Sequence, residues 1–229
     1  DKIPIRSLTA ALMLTGDIRS EAPETAFTCI NQCLLRGPVD ARQAEGNTSA
    51  VWHDGLGYFF LGDCGSVVLE QGTRRGRWSD IRDSAPETEV SASVFLLGIR
   101  HGPQPKGLSA ACWIEPMSEK EFDRRNGLAP VNLRILANDG KLQAVAKDKL
   151  LWIAFHEAGK LERDGLAIAA DAPCLVQLRG TDQGLAWTVA DPTQTAREII
   201  LSIGGKRLAI ALPQGGQAGA SVSGTQKPE

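Results

Sequence analysis

Short runs in which apolar and polar residues alternate recur along almost the whole chain, separated by clusters of Gly, Pro, Asp and Asn. That period of two predicts strands on a half-buried sheet. In the first block the runs are Thr25–Leu35, Ser49–His53, Leu56–Leu61, Ser66–Glu70 and Val90–Ile99, with turn clusters at Gly62–Gly65, Gly72–Gly76 and Gly102–Gly107. Asp54-Gly55 is the strongest hairpin signal, because both residues of the favoured two-residue turn must adopt positive φ. A turn there sets His53 opposite Leu56 and Val51 opposite Tyr58. Ser118–Arg125 carries Ser118 three residues before Glu121, a capping box that predicts one short helix, and Gly127–Pro130 ends it. A second block follows, with strands expected at Val131–Ala137, Leu142–Ala146, Leu151–His156, Cys174–Arg179, Leu185–Ala190, Ile199–Ile203 and Leu208–Leu212. Turns at Asn138-Asp139-Gly140, Asp182–Gly184 and Gly204-Gly205 space them as in a sandwich. Gln214–Glu229 has almost no apolar content and is expected to be a flexible tail.

Composition narrows the function classes. The chain has 229 residues, enough to bury a core without metal or disulfide staples. Its net charge of −2 argues against a nucleic-acid partner, which would call for a basic surplus. No apolar run is long enough to span a bilayer, and the N-terminal DKIPIRS has no charged-then-apolar leader. Five cysteines are present. Cys29 and Cys33, four apart on a strand, are separated by about 13 Å, too far to bridge, and no CxxC pair offers a zinc site. All five are expected as free, mostly buried thiols.

The segment Leu14–Pro38, LTGDIRSEAPETAFTCINQCLLRGP, resembles part of the central β-domain of polysaccharide lyase family 8, the hyaluronate, chondroitin and xanthan lyases. Four further blocks follow in the family's order: Val51–Phe60 (VWHDGLGYFF), Gly76–Ile81 (GRWSDI), Leu97–Gly107 (LGIRHGPQPKG) and Ala190–Gln194 (ADPTQ). The resemblance implies an all-β fold: residues 1–125 as part of an antiparallel supersandwich, 126–213 as a small C-terminal β-sandwich, and 214–229 as the tail. It implies β-elimination on an anionic, uronate-containing polysaccharide, no cofactor, and a secreted or periplasmic location. The family's catalytic Asn, His, Tyr and Arg lie on an upstream α/α-toroid, with a supporting Glu early in the β-domain. None has a counterpart here, so the expected partner is that upstream segment or subunit. The other reading is a stand-alone, non-catalytic carbohydrate-binding β-module.

Several residues are candidates for sugar contact, each with a plainer role beside it. His53 and Tyr58, the sole tyrosine, become diagonal neighbours roughly 7–8 Å apart across the hairpin. That spacing suits a base and an acid straddling a sugar, or a packed aromatic hairpin. Asn31 and Gln32 either bond a sugar or satisfy nearby backbone groups. Arg74, Arg75, Arg77 and Trp78 form the most basic run, able to pair carboxylates and stack on a sugar face, or simply to make a solvated loop. His101 is expected to fix a turn-rich loop, and His156 to end a strand. Trp52, Trp113, Trp152 and Trp187 are read as core, and Asn47-Thr48-Ser49 as an unmodified loop sequon.

Overall fold

Hairpins build most of this computed structural model, which describes residues 10–44, 47–62, 64–182 and 184–227. The DKIPIRS stretch, the final two residues, and Asp63 and Gln183 of two expected turns lie outside these. The chain divides into two units, Asp1–Ala129 and Pro130–Glu229.

The first unit runs β1 (Ala11–Arg19), β2 (Thr25–Leu34), β3 (Val39–Ala44), β4 (Asn47–His53), β5 (Leu56–Phe60), β6 (Ser66–Arg77), β7 (Glu89–Pro103), β8 (Lys106–Pro116) and α1 (Glu119–Arg125). A five-stranded sheet, in order β1-β8-β5-β4-β3, faces a three-stranded sheet, β2-β7-β6. Every pairing is antiparallel. Asp54 and Gly55 have φ of 46° and 79°, and the turn they make sets His53 opposite Leu56 and Val51 opposite Tyr58, as expected. Between the sheets lie Val51, Tyr58, Phe95, Leu97 and Cys112, flanked by Cys64, Ile99 and Ala110. On the far side of the five-stranded sheet, α1 buries Phe122 against Phe59, ring centroids 5.9 Å apart. Its capping box is complete: Ser118 Oγ accepts from the Glu121 amide and Glu121 Oε2 accepts from the Ser118 amide.

The Gly72–Gly76 cluster is not a turn. β6 runs straight through it to Arg77, because its twelve residues pair in unbroken register with β7. The β2 ladder stops at Val94, where the Leu35 amide adds one last bond to the Ser93 carbonyl, so among the described strands Arg74–Arg77 and Glu89–Ala92 form a two-stranded ribbon. Likewise His101 and Gly102, expected in a loop, lie within β7.

The second unit comprises β9 (Leu133–Asn138), β10 (Leu142–Lys147), β11 (Leu150–Phe155), β12 (Gly159–Arg163), β13 (Leu166–Ala170), β14 (Cys174–Thr181), β15 (Gly184–Ala190), β16 (Glu198–Ile203), β17 (Lys206–Ala211) and β18 (Val222–Gln226). A six-stranded sheet, β18-β15-β14-β11-β10-β9, packs on a four-stranded one, β12-β13-β16-β17. Their shared core includes Ile153, Phe155, Ile168, Val176, Val189, Ile199 and Leu201.

The expected tail is corrected in part, since β18 closes the edge of the six-stranded sheet by pairing with β15. This edge strand needs almost no apolar residue. It contributes backbone bonds, and Gly224 leaves room for the Trp187 indole, which a Cβ there would meet at 2.3 Å.

Candidate functional site

A β-bulge decides what the TxxNQ part of the recognised segment does. The β2–β7 register slips between Cys29 and Asn31, so the inward positions change from Thr28 and Ile30 to Asn31 and Cys33. Asn31 therefore points between the sheets, where its Nδ2 donates to the Tyr58 hydroxyl at 2.6 Å. Thr28 Oγ1 lies 2.8 Å from His101 Nε2 and ties β2 to β7. Gln32, next along, is turned outward and exposed.

His53 and Tyr58 do share a face, and that face is the core. His53 is 1% exposed and stacks on Phe95, with centroids 4.3 Å apart and planes at 25°. Its Nδ1 lies 3.4 Å from the Pro38 carbonyl, and its buried Nε2 has no partner. Tyr58 is also 1% exposed. Burial pushes its phenol upward, and the Asn31 hydrogen bond offsets only part of that. Burial likewise pushes the His101 imidazole down. A base and an acid in these positions cannot reach a polysaccharide without parting the sheets. The sugar-contacting roles expected of Asn31 and His53 give way to ties across the sandwich.

The remaining candidates are accessible but scattered. Arg75 sits on the ribbon in ion-pair range of Glu89, and Arg74 pairs with Glu70. Trp78 opens a 3-10 turn at the ribbon's end and is 58% exposed. Gln32 stands level with Glu70, both opposite Leu96. Arg75 is five residues further along β6, about 17 Å away and on the other face. An open hollow of about 310 Å³ beside α1 is lined by Glu115, Pro116, Met117, Glu121, Arg124 and Arg125. Its charges answer one another, Arg125 to Glu115 at 2.6 Å and Arg124 to Glu121 at 3.9 Å.

Among the described residues no three His, Cys, Asp or Glu side chains gather to hold a metal. No described helix is long and apolar enough to cross a membrane. None of the five cysteines forms a disulfide; Cys64, Cys112 and Cys174 are buried, Cys33 is half-buried and Cys29 is exposed.

Two features escaped the sequence reading. Asp191, in the ADPTQ block, is 2% exposed and accepts from the Thr193 hydroxyl and from the amides of Thr193, Thr195 and Ala196. Burial pushes its carboxyl up, but these bonds more than reverse that and leave it at about 2. It is the staple of a loop, not a catalytic acid. Trp152, read as core, is 37% exposed. The alternation of β11 held the signal, since Leu151, Ile153 and Phe155 are the buried set and Trp152 lies between them on the other face.

Comparison with known proteins agrees with the two-unit layout. Over 230 aligned residues the chain is 34% identical to chondroitinase-AC of Pedobacter heparinus, covering 91% of this chain and 32% of that one. It is 28% identical to the hyaluronate lyase of Thermasporomyces composti over 140 residues, or 60% of this chain and 17% of that one. A solved chondroitinase AC lyase, studied as enzyme–oligosaccharide complexes, superposes with a TM-score of 0.80 at 32% identity, covering 94% of this chain and 34% of that one. The chain thus spans about a third of the length of the chondroitinase it matches. Residues 9–125 match the polysaccharide lyase family 8 super-sandwich domain and residues 134–200 match the family's C-terminal beta-sandwich domain, so the chain belongs to polysaccharide lyase family 8.

Proposed function

We propose that this chain is the β-portion of a lyase that cleaves uronate-containing polysaccharides of the chondroitin, hyaluronan or xanthan type by β-elimination, outside the cytoplasm. It walls one side of the cleft and supports a catalytic segment. The observation that carries the reading is the succession of two family-8 domains in one chain, together with a structural likeness to a chondroitinase known to bind oligosaccharides.

β-Elimination needs a base for the C5 proton of the uronate, a group that neutralises its carboxylate, and an acid for the departing glycosidic oxygen. His53 and Tyr58, the imidazole and phenol that the hairpin brings onto one face, are locked in the core. On this reading those groups come from the α/α-toroid segment. The outer face of the three-stranded sheet supports the need for such a neighbour, because it leaves Phe27 and Leu34 about half exposed.

The test is to follow the ultraviolet absorbance of unsaturated uronate products from chondroitin, hyaluronan and xanthan. The chain alone should give none, and the chain joined to a toroid segment should give product from at least one. Turnover by the chain alone that vanishes in His53→Ala or Tyr58→Phe would overturn the assignment.

A further inference from the structure

The outer face of the six-stranded sheet in the second unit is free of acidic side chains on its strands. Its six strands contain no Asp or Glu, although the whole chain has an acidic surplus. Cross-strand register places Val145, Trp152, Gln177, Thr188 and Ser223 in one row over five strands, Val145 itself being buried and the row opening to solvent from Trp152 onward. The adjacent row holds Lys147, Leu150, Arg179, Ala186 and Thr225. Trp152 is thus a partly exposed indole in mid-sheet, with the Gln177 amide beside it and two cations in the next row. Lys147 is bridged to Asp148 at its strand end, whereas the exposed Arg179 has no ion-pair partner among the described residues. Two strand spacings separate the two cations, about 10 Å, the scale of one disaccharide.

We propose that this face binds an anionic polysaccharide, with Trp152 as the stacking platform, Arg179 and Lys147 as the contacts to carboxylate or sulfate, and Gln177 as a hydroxyl partner. An indole presents a flat apolar surface to the axial C–H face of a pyranose. A guanidinium pairs a carboxylate or sulfate in two-point fashion. The absence of carboxylates on the strands removes the repulsion that an acidic glycan meets elsewhere on this chain. The β6–β7 ribbon, the other place where arginines accompany an exposed tryptophan, is the counterexample. There Arg74 and Arg75 are answered by Glu70 and Glu89, and the segment between the strands adds Asp80, Asp83 and Glu87. The choice of glycan rests on the lyase reading. The site itself lies on the C-terminal sandwich and holds polymer without cleaving it.

The experiment is affinity electrophoresis and tryptophan fluorescence of the 229-residue chain with chondroitin sulfate, hyaluronan, xanthan and a neutral glucan. Trp152→Ala is expected to weaken binding of at least one anionic polymer about tenfold, with the far-ultraviolet circular dichroism of the folded chain unchanged. Arg179→Ala, at an exposed position, should weaken it about threefold and lessen its salt dependence. Trp78→Ala should bind as the parent does. The proposal fails if no anionic polymer binds, if Trp152→Ala and Arg179→Ala both bind unchanged, if Trp78→Ala loses as much as Trp152→Ala, or if the neutral glucan binds as tightly as the anionic ones. Binding without turnover by the toroid-joined enzyme would sink the lyase reading and leave this site standing; turnover with no binding at this face would do the reverse.

Discussion

Between the sheets of the first sandwich lie an imidazole, a phenol and a carboxamide, whereas the corresponding space in the second is filled by Ala, Leu, Ile, Val, Phe and the Cys174 thiol, with the Trp187 indole packed against them. The polar groups of the first core engage one another or aromatic faces, Asn31 with Tyr58 and His53 with Phe95 and, through Nδ1, the Pro38 carbonyl, while His53 Nε2 is left without a partner. Such contacts have one geometry, so they fix strand register as well as contributing energy. The second core relies mainly on shape and volume. The first sandwich should therefore be sensitive to isosteric changes of polarity, and the second to changes of size.

The largest effect expected is from Phe95→Ala, which opens a cavity and strips the stacking partner from His53. It should destabilise the first unit by about 3–5 kcal/mol, with Leu201→Ala in the second costing about 2–5 kcal/mol from the cavity alone. Denaturant unfolding with unit-resolved hydrogen exchange measures both. Next comes Asn31→Ala, which orphans the buried Tyr58 hydroxyl at about 1–3 kcal/mol. The double change with Tyr58→Phe should recover part of that loss, and strict additivity would break the claim that the two act as a pair.

Acid separates the units differently. The Asp191 carboxyl at about 2 lies below its ordinary value, so its contribution is complete above the unfolded value of about 3.9. That contribution is lost as pH falls toward and through about 2. Asp191→Asn should be less stable at neutral pH and should flatten the acid limb of the second unit's stability curve. The smallest effect concerns labelling, not folding. Cys29 should react with a thiol reagent in the native chain, while Cys112 and Cys174, which burial pushes up to about 12, should react only after unfolding.

The features legible in the sequence are those set by local chemistry. Asp54-Gly55 can turn only one way, and Ser118 with Glu121 needs nothing beyond its own helix. What was hidden depends on a distant partner. Gly72 and Gly76 look like turn residues until β7 supplies a ladder for them. Asp164-Gly165, the turn between β12 and β13, joins strands too small and mixed to stand out. The bulge that swings Asn31 inward leaves no mark on composition, so the candidate site could be named residue by residue but its faces could not be assigned. Trp152 is the converse case, since strict alternation along β11 does assign its face.

The ribbon of β6 and β7 has one more consequence. Among the described strands β6 pairs with β7 alone, so its outer edge offers N–H and C=O groups to any extended chain that drifts alongside. Glu70, Arg74, Arg75 and Arg77 along that edge, with Gly72 and Gly76 between them, make it a poor template for another strand. The charge run that first suggests a sugar-binding patch therefore also sets a charge barrier along a long edge, against pairing with a second copy of this chain.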